Sequence, residues 1–434
     1  MSTRSKLFVM MVLEFFIWGA WFPLIFSYLP SLRFTASEQS WILNTFPIAA
    51  IVGMFFSSQF ADRNFAAEKF MSASHLISGL AMLSLVVTRS FWPFFLAMLV
   101  HCLLYVPTIS IANSIAFAHM KDAQKEFGFV RMGGTIGWVL AAWPMTFILV
   151  DWDKVNATAT SGFVGWLGTV LASGLTGPAL QAATKWTFAV AGIASLLLSA
   201  FSLQLPHTPP KPATGANKFA WLEATRLLAA PFILVLWIVT FVDSTVHNLF
   251  FNWTGTFLGA SVAAGGVGIP GNWIMPVMSL GQIAEILTML VLGVTLKKLG
   301  WRTTMIIGIL GHAARFAVFA FLPQQTGLVV AINLIHGIAY AFFFATVYIF
   351  VDEFFPTDVR SSAQGLFNLM ILGLGPLVAN ILGPKFMGET FNRGGVVDFR
   401  SMFLVPLLAA IVAAVVLAVF FHPPQQRASA PQAV

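Results

Sequence analysis

Apolar and polar positions along this chain alternate on the scale of a whole bilayer rather than at strand period. Apolar runs bounded by charges, Pro or Gly fall at Leu7–Tyr28, Trp41–Phe60, Phe70–Thr88, Phe91–Phe117, Gly133–Val150, Trp186–Leu205, Pro231–Leu258, Trp273–Thr295, Thr303–Leu322, Gly327–Phe350, Ala363–Ile381 and Met402–Phe421. At about 1.5 Å rise per residue, a helix of roughly twenty residues crosses the roughly 30 Å hydrocarbon core of a membrane. The pattern predicts twelve transmembrane helices. Two connections interrupt the rhythm. Residues 151–185 form a long loop rich in Gly, Ala, Thr and Ser, whose part Gly162–Leu175 has the character of a short surface helix. The Pro-rich stretch QLPHTPPKPATGAN lies near the midpoint and divides the spans six and six.

Composition narrows the class. Hydrophobic residues make up 58% of the 434 positions and charged residues only 9%, with a mean hydropathy of +0.85. Soluble domains carry about a quarter charged residues. The formal charge of +7 does not point to nucleic acid, because the basic residues stand singly between apolar runs. The lone Cys102 lies in an apolar run and excludes a disulfide framework or a cysteine metal site. The amino terminus begins like a signal peptide, but Glu14, Trp18 and Trp21 extend its apolar run and no cleavage site follows, so it reads as a retained first span.

Orientation follows from Lys and Arg in short loops. With the amino terminus cytoplasmic, the inner loops hold Arg4, Lys6, Arg63, Lys69, Lys121, Lys125, Lys211, Lys218, Arg226, Lys297, Lys298, Arg302, Arg360 and Arg427. The outer loops hold only Arg33, Arg89, Lys154, Lys185, Lys385, Arg393 and Arg400. Both termini are expected inside. The implied organisation is a six-helix bundle over 1–205, a cytoplasmic linker over 206–226, a second bundle over 227–421 and a disordered tail over 422–434. An offset of 229 residues carries Arg131 onto Arg360 and Glu14 onto Asp243, a faint repeat that favours two related halves with substrate between them at mid-membrane.

The chemistry-bearing residues are few. Gln282 and Glu285, three apart in WIMPVMSLGQIAEILTMLVLGVT, share one helix face near the middle of the eighth span. An ionised acid there costs roughly 2.5–3.5 kcal/mol on insertion scales. It either locks two helices or serves a substrate or proton site. Arg131, Thr135 and Trp138 form one stripe of the fifth span, flanked by Gly133, Gly134 and Gly137, which permit close helix approach. Arg131 either snorkels to the interface or points its donors into a cavity. The seventh span offers Asp243, Thr245, His247 and Asn248, and the tenth offers His336 and Tyr340 four apart. His75, His101 and His312 read as helix-packing residues. Asp62–Arg63, in the turn between spans two and three, reads as a solvated turn; its likeness to the acid–base inner turns of the major facilitator superfamily implies a latch between conformations.

With these residues placed, the chain resembles the nucleoside:proton symporter family of the major facilitator superfamily. The likeness runs nearly the whole length and shows in EFFIWGAWFPLIFSYLPSL, LLYVPTISIANSIAF, VRMGGTIGWVLAAW, GQIAEILTMLVLG, ARFAVFAF and VRSSAQGLF. The resemblance implies an all-α integral membrane protein of a bacterial inner membrane, with twelve helices in two pseudo-symmetric bundles; a single twelve-span chain encloses its own pathway, so a monomer is expected to function. It implies purine and pyrimidine nucleosides and protons as cargo, without cofactor, metal or nucleic acid. The family's substrate site carries over onto Arg131, Thr135, Trp138, Asn248, Gln282 and Glu285, with Thr245, His336 and Tyr340 at neighbouring positions. Trp138, Tyr340 and Phe342 would supply flat faces for a base. Glu285 is the expected proton-coupling group, with Glu14 and Asp243 behind it. Ala341 stands where the family can show an aspartate, which leaves a facilitative carrier open, as spacing alone leaves open a carrier of another polar, sugar-like solute. A membrane enzyme or sensor is disfavoured by the lack of a clustered metal set, a nucleophile beside a base, or an attached soluble domain.

Overall fold

The computed structural model describes residues 1–53, 64–120, 123–210, 225–355 and 360–423. Helix is found in each of the twelve predicted runs. The first half comprises Thr3–Ser31, the pair Ala36–Leu43 and Thr45–Val52, then Ala67–Ser84, Phe91–His119, Ala123–Ala142 and Trp186–Ser202. The second half comprises Pro231–Gly259, the long stretch Gly271–Phe321, Thr326–Phe354, Ala363–Thr390 and Phe399–Phe420. Among the described residues, eight helices are long and apolar enough to cross a membrane on their own. Spans eight and nine are continuous except at Gly300, where φ is 72°. Only a residue without a Cβ takes that conformation readily, so the chain reverses there behind Lys297 and Lys298. The Asp62–Arg63 turn lies outside the described residues.

Helices one and five form the most intimate pair, and glycine is the reason. A Cβ on Gly133 would lie 2.8 Å from the Phe8 carbonyl oxygen, and one on Gly137 would lie 2.8 Å from the Val12 carbonyl carbon. The reciprocal Gly19 would put its Cβ 3.0 Å from the Trp138 carbonyl. Backbone meets backbone along the whole crossing, as small-residue faces allow in an apolar solvent that gives no hydrophobic drive to helix association. Helices eight and ten meet in the same way, with Gly281 against the His336 Cβ at 2.7 Å and Gly337 against the Ala284 carbonyl oxygen at 2.7 Å.

The loop 151–185 folds into Trp152–Ala157, Gly162–Ala172 and Gly177–Ala183. It does more than cover a surface. Asn272, at the start of helix eight, donates through Nδ2 to the Leu171 carbonyl at 3.2 Å and to the Thr146 carbonyl at 3.4 Å. Trp273 Nε1 donates to Leu171 at 2.8 Å and the Gly271 amide donates to Leu175 at 2.9 Å. Asn380 Nδ2 reaches the Leu43 carbonyl at 3.0 Å. These bonds join the two halves at the end of the bundle far from the termini. At the terminal end, the beginning of the linker is tied to the first half: Glu68 accepts from the Thr208 amide at 2.9 Å and bonds His207 at 2.8 Å.

Candidate functional site

Beneath that seal, residues from both halves keep partial exposure in the membrane interior. Arg131, Thr135 and Trp138 on helix five, and Glu285 and Tyr340 on helices eight and ten, are all half-buried. The Arg131 guanidinium lies 4.3 Å over the Phe15 ring, held by a cation–π contact within the first half. The close approach of Gly19 fixes the Trp138 backbone, and its ring stands edge-on to Trp18 at 5.1 Å. It also meets Phe22 and, from the other half, Phe251, each at 6.2 Å between centroids. Trp138 thus forms part of an aromatic floor shared by both halves.

The remaining predicted residues are engaged inside the second half. Gln282 is buried and its amide lies 3.3 Å from His336 Nε2. His336 is buried too, with Nδ1 at 2.9 Å from Arg315 Nη1. A guanidinium only donates, so His336 Nδ1 is the acceptor and its ring hydrogen sits on Nε2. The Gln282 amide then has to present its oxygen to that hydrogen, which also gives Oε1 the partner it otherwise lacks. Thr245 spends its hydroxyl on the Phe241 and Gly375 carbonyls. Asn248 Nδ2 bonds Asn252 at 3.2 Å and Asn380 at 2.8 Å, an amide chain that continues to the seal at Leu43.

The tenth span departs from α-helix where it matters. Tyr340–Ala345 is a π-helical stretch, the extra-residue form often found at functional positions. His336 and Tyr340 still stack, 6.4 Å between centroids and 21° between planes. Beyond them the phase is shifted. Phe342 packs with Leu292 and Ala341 in a small apolar cluster, while Phe344 takes the place beside Tyr340 at 5.6 Å.

Pairings that sequence spacing does not reveal complete the picture. Glu14 and Asp243 each bond a histidine two spans further on: His75 Nε2 at 2.9 Å and His312 Nδ1 at 3.0 Å. The 229-residue offset pointed to the two carboxylates but not to their partners. Arg315, fully buried with its guanidinium 3.6 Å over the Phe250 ring, carried no signal beyond being a charge inside an apolar run. Asn252, Asn272 and Asn380 were equally silent. Among the described residues no group of three or more His, Cys, Asp or Glu forms a metal-binding cluster.

Comparison with known proteins bears on the family and the fold. The sequence model of the nucleoside H+ symporter family matches residues 1–166 and 158–426. The YegT protein of Escherichia coli (strain K12) is 30% identical over 97% of this chain and 94% of its own length. The xanthosine permease of the same organism is 27% identical over 93% of this chain and 92% of its own length. The crystal structure of the nucleoside transporter NupG superposes with a TM-score of 0.79, covering 98% of this chain and all of the other at 23% identity. A D-xylose–proton symporter superposes at 0.65 with 16% identity, covering 97% and 98% of the two chains, so the fold is shared with it as well. On the strength of the match to both halves, this chain belongs to the nucleoside H+ symporter family.

Proposed function

We propose that this protein imports nucleosides together with protons by alternating access, from a bacterial inner membrane with both termini in the cytoplasm. One observation carries the reading: Arg131, Thr135 and Trp138 of one half and Glu285 and Tyr340 of the other all stay half-buried in the membrane interior, with the Trp138 ring meeting Phe251 across the halves. A nucleoside asks for that combination. Its ribose hydroxyls and base edges need donors and acceptors, which Arg131, Thr135 and Glu285 offer. Its base needs a flat face, and a base–aromatic stack is worth about 1–3 kcal/mol while tolerating several bases. Gln282 and His336 act from behind, holding the helix-eight face on which Glu285 stands, while Thr245 and Asn248 brace helix seven against helix eleven. The xanthosine permease and NupG carry nucleoside cargo by name, which supports the same substrate class here.

Coupling follows from where Glu285 sits. A carboxylate in the membrane interior is costly while charged, and a proton removes that cost. Protonated and loaded, the carrier can close and rock; on the other side, rehydration and the Arg131 charge return the proton. The site is assembled from both halves of a single chain, so a monomer suffices. The test is uptake of labelled uridine and adenosine into proteoliposomes, with and without an inward proton gradient. Gradient-driven accumulation that disappears in Glu285→Gln, with exchange retained, supports the reading. Accumulation that persists in Glu285→Gln removes Glu285 from the coupling role.

A further inference from the structure

Each half holds a buried carboxylate bonded to a buried imidazole, but the two devices are finished differently. In the first half every polar side-chain atom of the couple itself is bonded. Glu14 Oε2 bonds His75 Nε2, Oε1 accepts from the Thr108 hydroxyl at 2.8 Å, and His75 Nδ1 meets the Ser195 hydroxyl at 3.1 Å. Both residues have no exposure at all. That is a closed strut. In the second half, Asp243 Oδ1 accepts from His312 Nδ1 while Asp243 Oδ2 has no partner. Arg315, four residues above Gly311 on helix nine, leaves Nε and Nη2 without partners as well. Buried polar groups are nearly always satisfied, and an orphan costs about 1–3 kcal/mol, more when charged. Three orphaned atoms on charged groups in one core mark a place kept for something other than rigidity.

The second device also has an outlet. His312 Nε2 faces His247 Nδ1 at 3.5 Å. His247 is only half-buried, and its ring lies 6.1 Å from Tyr340 and 5.1 Å from Phe344, on the wall of the candidate site. We infer that Asp243, His312 and His247 form a proton relay, with His247 as its cleft-facing end and the Asp243–His312 couple as its buried holding site. The inference rests on the proton-coupled reading above and adds a second proton site to Glu285.

The step balances without any co-reactant. A proton from cleft water joins His247 at Nε2, and the hydrogen on Nδ1 passes to His312 Nε2. The new imidazolium donates through Nδ1 to Asp243, so a hydrogen bond from a neutral imidazole to a carboxylate, between helices seven and nine, becomes an ion pair. Reversal returns the proton to the cleft. The groups facing this relay explain why it runs through His247 and not the neighbouring ring. His336 has Arg315 Nη1 on its Nδ1, so a second proton has no lone pair to occupy. From helix eight come Gln282 and Glu285, from helix ten Tyr340, and from helix five Arg131; none of them bonds His312.

Proteoliposomes with a trapped pH-sensitive dye test the relay, using labelled uridine as the probe. Wild-type protein is read first for uridine counterflow; its absence sinks the nucleoside reading itself, before any variant is made. With counterflow present, His247→Gln and Asp243→Asn should retain it, yet lose gradient-driven accumulation and uridine-dependent proton influx by roughly a hundredfold, the scale of a removed proton-transfer group. His247→Gln that accumulates uridine and draws protons like the wild type overturns the inference. Should Asp243→Asn fail to fold, His247→Phe gives the same decision, because that position lies at the cleft wall and outside the buried couple.

Discussion

The contact that closes the far end predicts a conformational variant at Gly174. A Cβ there would lie 2.7 Å from Asn272 Cγ and 2.8 Å from Pro270 Cβ, so Gly174→Ala forces the Asn272 side chain aside. Asn272 is fully buried and its Nδ2 makes two bonds across the halves, to Leu171 and Thr146. Each bond contributes about 0.5–1.5 kcal/mol net, so their loss weakens the seal by about 1–3 kcal/mol. In a two-state carrier this shifts the ratio of sealed to unsealed forms roughly 5- to 150-fold. The assay is the distance distribution between spin labels on Val87→Cys and Lys385→Cys, two exposed positions at the far end of opposite halves. Cys102 is buried and does not compete for label. Gly174→Ala should add a longer-distance population. Gly168→Ala, in the same loop but facing open space, should not. Identical distributions in Gly174→Ala and wild type would refute the view that this loop holds the far end shut.

Four further outcomes are expected. Gly137→Ala pushes against the Val12 backbone and must separate helices one and five; overpacking of this kind costs about 1–3 kcal/mol or more, read as a lower melting temperature in detergent. His75→Ala strands the Glu14 carboxylate and should destabilise the fold by about 3–5 kcal/mol, and an unchanged melting temperature would contradict the strut assignment. Trp138→Ala removes the aromatic floor and should weaken uridine binding by about 1–3 kcal/mol in calorimetry, whereas unaltered affinity would place the base elsewhere. Asp398 caps helix Phe399–Phe420, and hydrogen bonds from the Ser401 side chain and backbone hold its carboxyl below the usual carboxylate range. A depressed folded value means stabilisation that is present above about pH 3.9 and lost as pH falls through the folded value. Asp398→Ala should therefore cost about 1 kcal/mol at neutral pH, with the gap to wild type closing in strong acid.

The architecture was legible because a membrane imposes it. Twenty apolar residues without charge have one stable answer in hydrocarbon, a helix with all backbone groups bonded internally, and so the runs gave the spans. Glycine at 133, 134 and 137 announced a close crossing for the same reason: nothing else lets two backbones touch. The stripe of Arg131, Thr135 and Trp138 was readable as one helix face, and the structure keeps all three half-buried, with Trp138 meeting Phe251 of the other half.

What spacing did not contain is which polar groups consume each other. Asn248 and Thr245 lie on a promising face, yet helix eleven supplies partners more than a hundred residues away that engage them. The π-helical turn at Tyr340 moved Phe342 off the face an α-helix would give it, a phase change set by packing against helices eight and nine. His75 and His312, read from sequence as packing residues, prove to be the partners of Glu14 and Asp243, because only the folded bundles bring spans one and three, or seven and nine, within hydrogen-bond distance. The sequence by itself determined the solvent of this protein, its span count and its family. Tertiary structure decided which buried charges are satisfied and which are left with an open position, since that depends on neighbours that no local pattern records.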